Sequence, residues 1–234
     1  QHSFSREYHN GRFARWGIDA VYENYELSDL SQLRSIVEAD NELEGLNVTI
    51  PYKQSVIPLL DDVDAVAQTI GAVNVIRIER TDNTVRMGCN SDYIGFRNSV
   101  TPLLMPHHTH ALVLGTGGAS KAVCAALADM GIQVVRVSRT PGEGELSYDA
   151  LTAEVMAQYT IVVNTTPLGM FPHVDACPNI PYDFLSSQHL CYDVVYNPEC
   201  TLFMKRASEQ GAVVHNGLEM LYGQADAAWD IWNR

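Results

Sequence analysis

The residues best placed to do chemistry lie in one glycine-rich turn. Ala111-Leu112-Val113-Leu114 runs into Gly115-Thr116-Gly117-Gly118-Ala119-Ser120-Lys121. Helix-forming residues continue to Met130, Gly131 can end the helix, and Ile132–Val137 is the next strand. Gly115 suits the tight turn, and Gly117 lets the backbone approach a pyrophosphate. The helix start adds unpaired N–H groups and partial positive charge. A strand before and a helix after are the context that makes such a turn a dinucleotide site. Ser120 stands at the third position of the pattern, where a small residue still allows close helix–strand packing.

The second strand ends at Ser138-Arg139-Thr140. Sites for NAD usually carry an acid about 20 residues after the glycines, to bind a ribose 2′-hydroxyl. Arg139 stands there instead, which favours a 2′-phosphate and hence NADP, although Glu143 and Glu145 are close by. Hydride transfer to a carbonyl also needs a proton donor. Lys53 is the best candidate. Pro51 ends the strand of Leu46-Asn47-Val48-Thr49-Ile50, leaving Lys53 just beyond the C-terminal end, where α/β proteins hold ligands.

The elements that must position these residues alternate along the chain. Residues 5–16 have helical spacing, closed by Gly17. Ile18–Tyr25 reads as a strand, and Ser28 as the N-cap of a helix to Ala39. Leu46–Ile50 is a strand, while Lys53–Leu60 and Asp62–Ile70 look helical. Val73–Glu79 and Val85–Cys89 form a hairpin around Thr81-Asp82-Asn83-Thr84. Residues 93–104 make a connecting helix. Strands follow at Thr160–Asn164, Leu190–Val195 and Ala212–His215, with a helix at Thr201–Glu209. A last helix over 217–233 places Leu218, Leu221, Ala225, Ala228, Trp229 and Trp232 on one face. This alternation predicts an α/β protein with a parallel sheet covered by helices.

Composition removes several classes of function. The 234 residues are 46% hydrophobic and 18% charged, which is globular rather than disordered. No apolar run approaches the roughly 20 residues of a membrane span, and the first residues carry no signal-peptide pattern. The net charge of −13 lacks the clustered basic residues of a nucleic-acid interface and suits a cytoplasmic enzyme. An anionic ligand therefore needs a local positive site. Five cysteines with no C-x-x-C pattern argue for reduced thiols, with neither a disulfide framework nor a metal site. His107, His108 and His110 read as a loop tip.

Nine motifs, in order, resemble the shikimate dehydrogenase family over essentially the whole chain. They are His2-Ser3-Phe4-Ser5; Asn47-Val48-Thr49-Ile50-Pro51-Tyr52-Lys53; Gly71-Ala72-Val73-Asn74; and Asn90-Ser91-Asp92 with Gly95. Gly115–Ser120, Ser138-Arg139-Thr140 and Asn164-Thr165-Thr166-Pro167-Leu168-Gly169-Met170 follow. Asp193-Val194-Val195-Tyr196-Asn197-Pro198 and Gly217–Ala225 complete the set. Ser91 and Ser138 replace the family's Thr and Asn. Family members also carry a strand and a glycine-containing turn ahead of the first motif, whereas this sequence opens at Gln1.

The resemblance implies reversible, NADPH-dependent reduction of 3-dehydroshikimate to shikimate, a step of chorismate and aromatic amino-acid biosynthesis. It implies two α/β domains, with residues 1–92 and the helix 215–234 holding substrate and a Rossmann-like unit over 93–214 holding NADP. Ser3 and Ser5, with Tyr196 as third donor, would bind the substrate carboxylate. Thr49, Asn74 and Gln224 would read the ring hydroxyls. Lys53 and Asp92 would flank the reacting oxygen as the catalytic pair, and either can be the group that hands over the proton. The cofactor would be held by Gly115, Thr116, Gly117, Gly118, Ala119, Ser138, Arg139, Thr140, Thr165, Met170 and Gly217. A small-molecule substrate and a monomer or homodimer are implied, with no metal, nucleic acid or membrane. The alternatives are a quinate/shikimate dehydrogenase that uses NAD, a folate-type dehydrogenase and a non-catalytic shikimate or quinate sensor.

Overall fold

A computed structural model describes residues 3–80 and 84–234. The expected hairpin tip at Thr81-Asp82-Asn83, and His2 of the first motif, lie outside the described residues.

Helix α1 (Phe4–Trp16) opens the fold. Ser3 caps it, accepting from the Arg6 amide, and Gly17 closes it in the left-handed region. Residues 18–27 form no strand, contrary to the expectation for Ile18–Tyr25. A strand persists only if its amides find a ladder. Here the side chain of Asn10 takes that part, accepting from Tyr22 N at 2.8 Å and donating to Tyr22 O at 3.0 Å. Helix α2 (Gln32–Ala39) begins after Ser31, so Ser28 is not its cap. Strand β1 is shorter than expected, Gly45–Asn47.

The stretch expected as a helix over 53–60 holds a single 3₁₀ turn, Ile57–Leu59, because Pro58 lacks the N–H an α-helix needs. Asp62–Val63 is strand β2, and Asp64 caps helix α3 (Ala65–Ile70), which moves that helix start three residues later than expected. Strands β3 (Val75–Arg80) and β4 (Thr84–Cys89) pair as the expected antiparallel hairpin. The resulting four-stranded sheet has the order β1-β3-β4-β2.

Helix α4 (Ser91–Val100) starts two residues earlier than expected, because the Asn90 side chain caps it. Beyond it lie β5 (His110–Leu114), α5 (Gly118–Asp129), β6 (Gln133–Ser138), β7 (Leu146–Ser147), α6 (Ala153–Gln158), β8 (Ile161–Asn164), β9 (Leu190–Asp193), α7 (Leu202–Glu209), β10 (Val213–His215) and α8 (Leu218–Trp232). The six strands are all parallel, in the order β10-β9-β8-β5-β6-β7. Central β5 reads as an unbroken apolar run because both of its faces are covered. Ala111 and Val113 pack with residues of α4, α5 and α8, while Leu112 and Leu114 pack with Met156 and α7.

Helix α8 leaves the six-stranded sheet and returns to the other one. Ala228 and Ile231 pack on Val75 and Cys89 of the β3–β4 hairpin. Its buried side is Met220, Ala225, Ala227, Ala228 and Ile231. Leu218, expected on that face, is exposed, since α8 buries the stripe turned toward α4 and β3. All five cysteines are free, and among the described residues no helix is long and apolar enough to cross a membrane.

Candidate active site

Lys53 lies just past β1, as expected. Its carbonyl accepts from the Val73 amide at 2.7 Å, which fixes it to the Gly71–Asn74 segment. The start of α4 is tied to the same segment, since Asn90 Nδ2 donates to Ala72 O at 2.9 Å while Asn90 Oδ1 accepts from the Tyr93 amide. This places Asp92 in the first turn of α4, where the helix end favours a carboxylate. Lys53 Nζ donates to Asp92 Oδ2 at 2.6 Å, with the two side chains only 18% and 10% exposed. An ion pair this short and this shielded can aim an ammonium proton at one point.

A second network adjoins the first. Asn74 Nδ2 donates to Ser91 Oγ at 3.0 Å, and the Ser91 amide donates to Asn74 Oδ1 at 2.7 Å. Ser91 Oγ reaches Gln224 Oε1 at 3.5 Å. The two helices meet almost backbone to backbone, for a methyl group on Gly95 would lie 2.7 Å from the Gln224 amide. Sequence reading named Asn74 and Gln224 but not Ser91, which joins them; its place in the Asn90-Ser91-Asp92 motif was the available signal.

Ser3, Ser5 and Thr49 line one cavity of about 1590 Å³ that runs under α1, between residues 18–27 and β1. Lys53 and Asp92 are not on its wall. Ser3 also serves as the α1 cap, and Ser5 bonds the hydroxyl of half-buried Tyr22, whose pKa is raised by desolvation. Half-exposed Tyr196 lies with its ring 6.5 Å from that of Phe4, between the two serines in sequence. Helix α1 is fastened to α8 by Tyr8 and Arg12, which donate to Asp226 Oδ1 at 2.6 and 2.5 Å.

The glycine-rich turn has the geometry a dinucleotide needs. Gly115 has φ of 111°, and a methyl there would lie 2.9 Å from Thr165 Oγ1. A methyl on Gly117 would meet nothing within 4 Å, so the space over it is open. No side chain caps the amides at the start of α5, which leaves them free for an anion. Buried Ser120, at the departing third position, closes the turn by donating to Gly115 O at 2.7 Å. Thr116 and Ala119 lie in this turn. Ser138, Arg139 and Thr140 end β6, with Ser138 Oγ accepting from the Thr140 amide. Arg139 is exposed, and Glu145 is engaged instead by Arg136 at 2.9 Å. Thr165 and exposed Met170 follow β8, and buried Gly217 packs against the backbone of Val194.

The loops after β8 and β9 share one buried anchor that sequence reading left unassigned. Asp193 accepts from Asn164 Nδ2 at 3.0 Å, the Val195 amide at 3.0 Å and Thr201 Oγ1 at 2.6 Å. Burial raises its pKa to about 6, opposed by these three donors. The two halves of the site also meet directly, because a methyl on Gly118 would lie 3.3 Å from Lys53 Cδ. The nucleotide turn therefore rests on the side chain of the candidate proton donor. The described residues hold no group of three or more metal-ligating side chains.

Comparison with known proteins bears on this geometry. Residues 1–76 match the family model described as the shikimate dehydrogenase substrate binding domain. A curated shikimate dehydrogenase (NADP(+)) from Desulforamulus reducens is 34% identical over 254 residues, spanning 99% of this chain and 86% of that protein. A shikimate dehydrogenase solved in complex with NADP+ superposes with a TM-score of 0.87 at 30% identity, covering 99% of this chain and 85% of the other. The Thermus thermophilus shikimate 5-dehydrogenase, solved with NADP(H) and shikimate, gives 0.84 at 30% identity, covering 99% and 88%.

Proposed function

The chain belongs to the shikimate dehydrogenase family, and from that premise we propose that it reduces 3-dehydroshikimate to shikimate, reversibly and with NADPH, in aromatic biosynthesis. The observation that carries the reading is the shielded Lys53–Asp92 pair lying directly beneath Gly118 of the nucleotide turn. Residues 1–92 with 215–234 hold the substrate and 93–214 hold the cofactor. The net charge of −13 supports a cytoplasmic enzyme with no nucleic-acid partner, and the family resemblance carries the expectation of a monomer or homodimer.

Ser3, Ser5 and Tyr196 receive the substrate carboxylate through their hydroxyls, and Thr49, Asn74 and Gln224 take the ring hydroxyls. The carboxylate is held by hydroxyl donors, and the positive charge of Lys53 is kept for the reacting oxygen. Gly115, Thr116, Gly117, Gly118 and Ala119 hold the pyrophosphate, Ser138, Arg139 and Thr140 the 2′-phosphate, and Thr165, Met170 and Gly217 the remainder of the cofactor. NADPH, when bound, supplies the hydride. In the ionised pair the proton resides on Lys53 Nζ, which passes it to the carbonyl oxygen while Asp92 keeps the ammonium aimed. Gly118 packs on the lysine stem, which restricts where the ammonium can reach.

The test is NADPH oxidation with 3-dehydroshikimate, repeated with NADH and run in reverse on shikimate and quinate. Turnover with NADPH and shikimate is expected. A preference for NADH with quinate would support the NAD-linked alternative, and binding without turnover would support the sensor.

A further inference from the structure

We propose that Lys121 is a positioning residue, holding the nucleotide turn against the segment that carries Lys53. The proposal rests on the reaction assigned above. Lys121 leaves the first turn of α5, immediately after the glycine-rich turn. Its Nζ donates to Gln54 Oε1 at 3.0 Å and reaches Gly71 O at 3.5 Å. Gln54 follows Lys53 in the chain. Gly71 closes α3 and opens the segment whose Val73 amide holds Lys53 O and whose Ala72 carbonyl holds Asn90. One ammonium therefore links the cofactor helix to both backbones that set the Lys53–Asp92 pair.

Local structure gives no reason for a lysine here. A positive charge in the first turn of a helix opposes the partial positive charge of that end, and α5 carries no acidic residue there to offset it. The reason is tertiary. Lys121 supplies the polar half of a contact whose apolar half is Gly118 on the Lys53 methylenes. Together they set how far the nucleotide turn lies from the proton donor, and hydride transfer is steeply sensitive to such distances. The competing role is a direct one, in which Lys121 is a ligand of the cofactor pyrophosphate.

The experiment compares Lys121→Met, Gln54→Leu, the double variant and Gln54→Glu. It measures kcat/KM for 3-dehydroshikimate with NADPH, and separately the Kd of NADPH alone by its fluorescence. A charge-assisted hydrogen bond of this exposure is expected to leave each single variant about 3- to 30-fold slower. The double variant should be no slower than the worse single one, since both remove one interaction. NADPH should bind within about twofold of wild type in all of them, and Gln54→Glu should keep the wild-type rate. Additive losses in the double variant, or a wild-type rate in Lys121→Met, would overturn the role. So would NADPH affinity falling in step with the rate, which would make Lys121 a phosphate ligand. A wild type that does not turn over NADPH with 3-dehydroshikimate overturns the assigned reaction and this role with it. An active wild type beside an unaffected Lys121→Met overturns this role alone.

Discussion

Asp92→Asn is the sharpest perturbation of the site, because it removes one charge and almost no volume. The Lys53–Asp92 contact is 2.6 Å long, and neither side chain is more than 18% exposed. A surface pair contributes about 0–1 kcal/mol, whereas removing one partner of a buried pair costs about 3–5 kcal/mol. The exposure places this pair between the two, near 2–3 kcal/mol. If that energy aims the ammonium in the transition state, kcat falls about 30- to 150-fold. The KM for 3-dehydroshikimate should change little, since ring hydroxyls and carboxylate are held elsewhere. Stability should fall by no more than the same roughly 2–3 kcal/mol, since the pair is already formed in the resting fold. Stopped-flow NADPH oxidation gives the rate, and a urea titration gives the stability. A kcat within threefold of wild type, with normal stability, would refute the assignment of Asp92.

Other perturbations test other parts. Arg139→Ala is expected to weaken NADPH by about 10- to 100-fold and NADH far less; equal losses in parallel titrations would remove Arg139 from 2′-phosphate recognition. Gly115→Ala combines a φ of 111° with a methyl 2.9 Å from Thr165 Oγ1, so NADPH affinity should drop more than about tenfold while the unliganded fold survives. His9 is fully buried, and among the described residues neither ring nitrogen has a hydrogen-bond partner. Burial, helped by the Arg12 charge, lowers its pKa to about 4 from an ordinary 6.5. The fold therefore keeps full stability above pH 6.5 and loses about 2–3 kcal/mol from this group as pH falls toward 4. Asp193, raised to about 6, acts oppositely and favours the fold as pH falls through 6. Chemical denaturation at pH 7 and 4.5 should show His9→Phe losing less stability on acidification than wild type. Equal losses would mean that the ring is charged in the fold.

Five strands of the parallel sheet, β5, β6, β8, β9 and β10, were the most legible part, whereas the two-residue β7 and the six-residue α6 were not expected, being too short to show a period. Lys53, Asp92, Asn74 and Gln224 were legible as residues, and the structure brings them together. What stayed hidden was relational. Ser91 looks like an ordinary helix-start serine until Asn74 and Gln224 are seen on either side of it. Lys121 is an unremarkable helix lysine until Gln54 faces it. Residues 18–25 alternate like a strand, yet Asn10 satisfies Tyr22 where a neighbouring strand would have done so. Helix periodicity over 53–60 was misleading for a local reason, the absent N–H of Pro58. The partial exposure of Leu218 shows that an apolar face read from one helix does not say which neighbour will claim it.

Helix α4 carries a consequence for modularity. Its cap, Asn90, and Asp92, the proposed partner of Lys53, belong with the proposed substrate half, while Phe96 and Val100 share a core with Ala111, Val113 and Ala126 of the proposed cofactor half. Gly95 presses the same helix against α8, which returns to the β3–β4 hairpin. The proposed boundary at residue 92 thus falls inside the first turn of a single helix. Cutting the chain there would separate a helix from its cap and strip one wall from each core. The two halves are divisible by what they bind and indivisible by what holds them, so swapping a cofactor unit between relatives would have to carry α4 and its partner α8 as one piece.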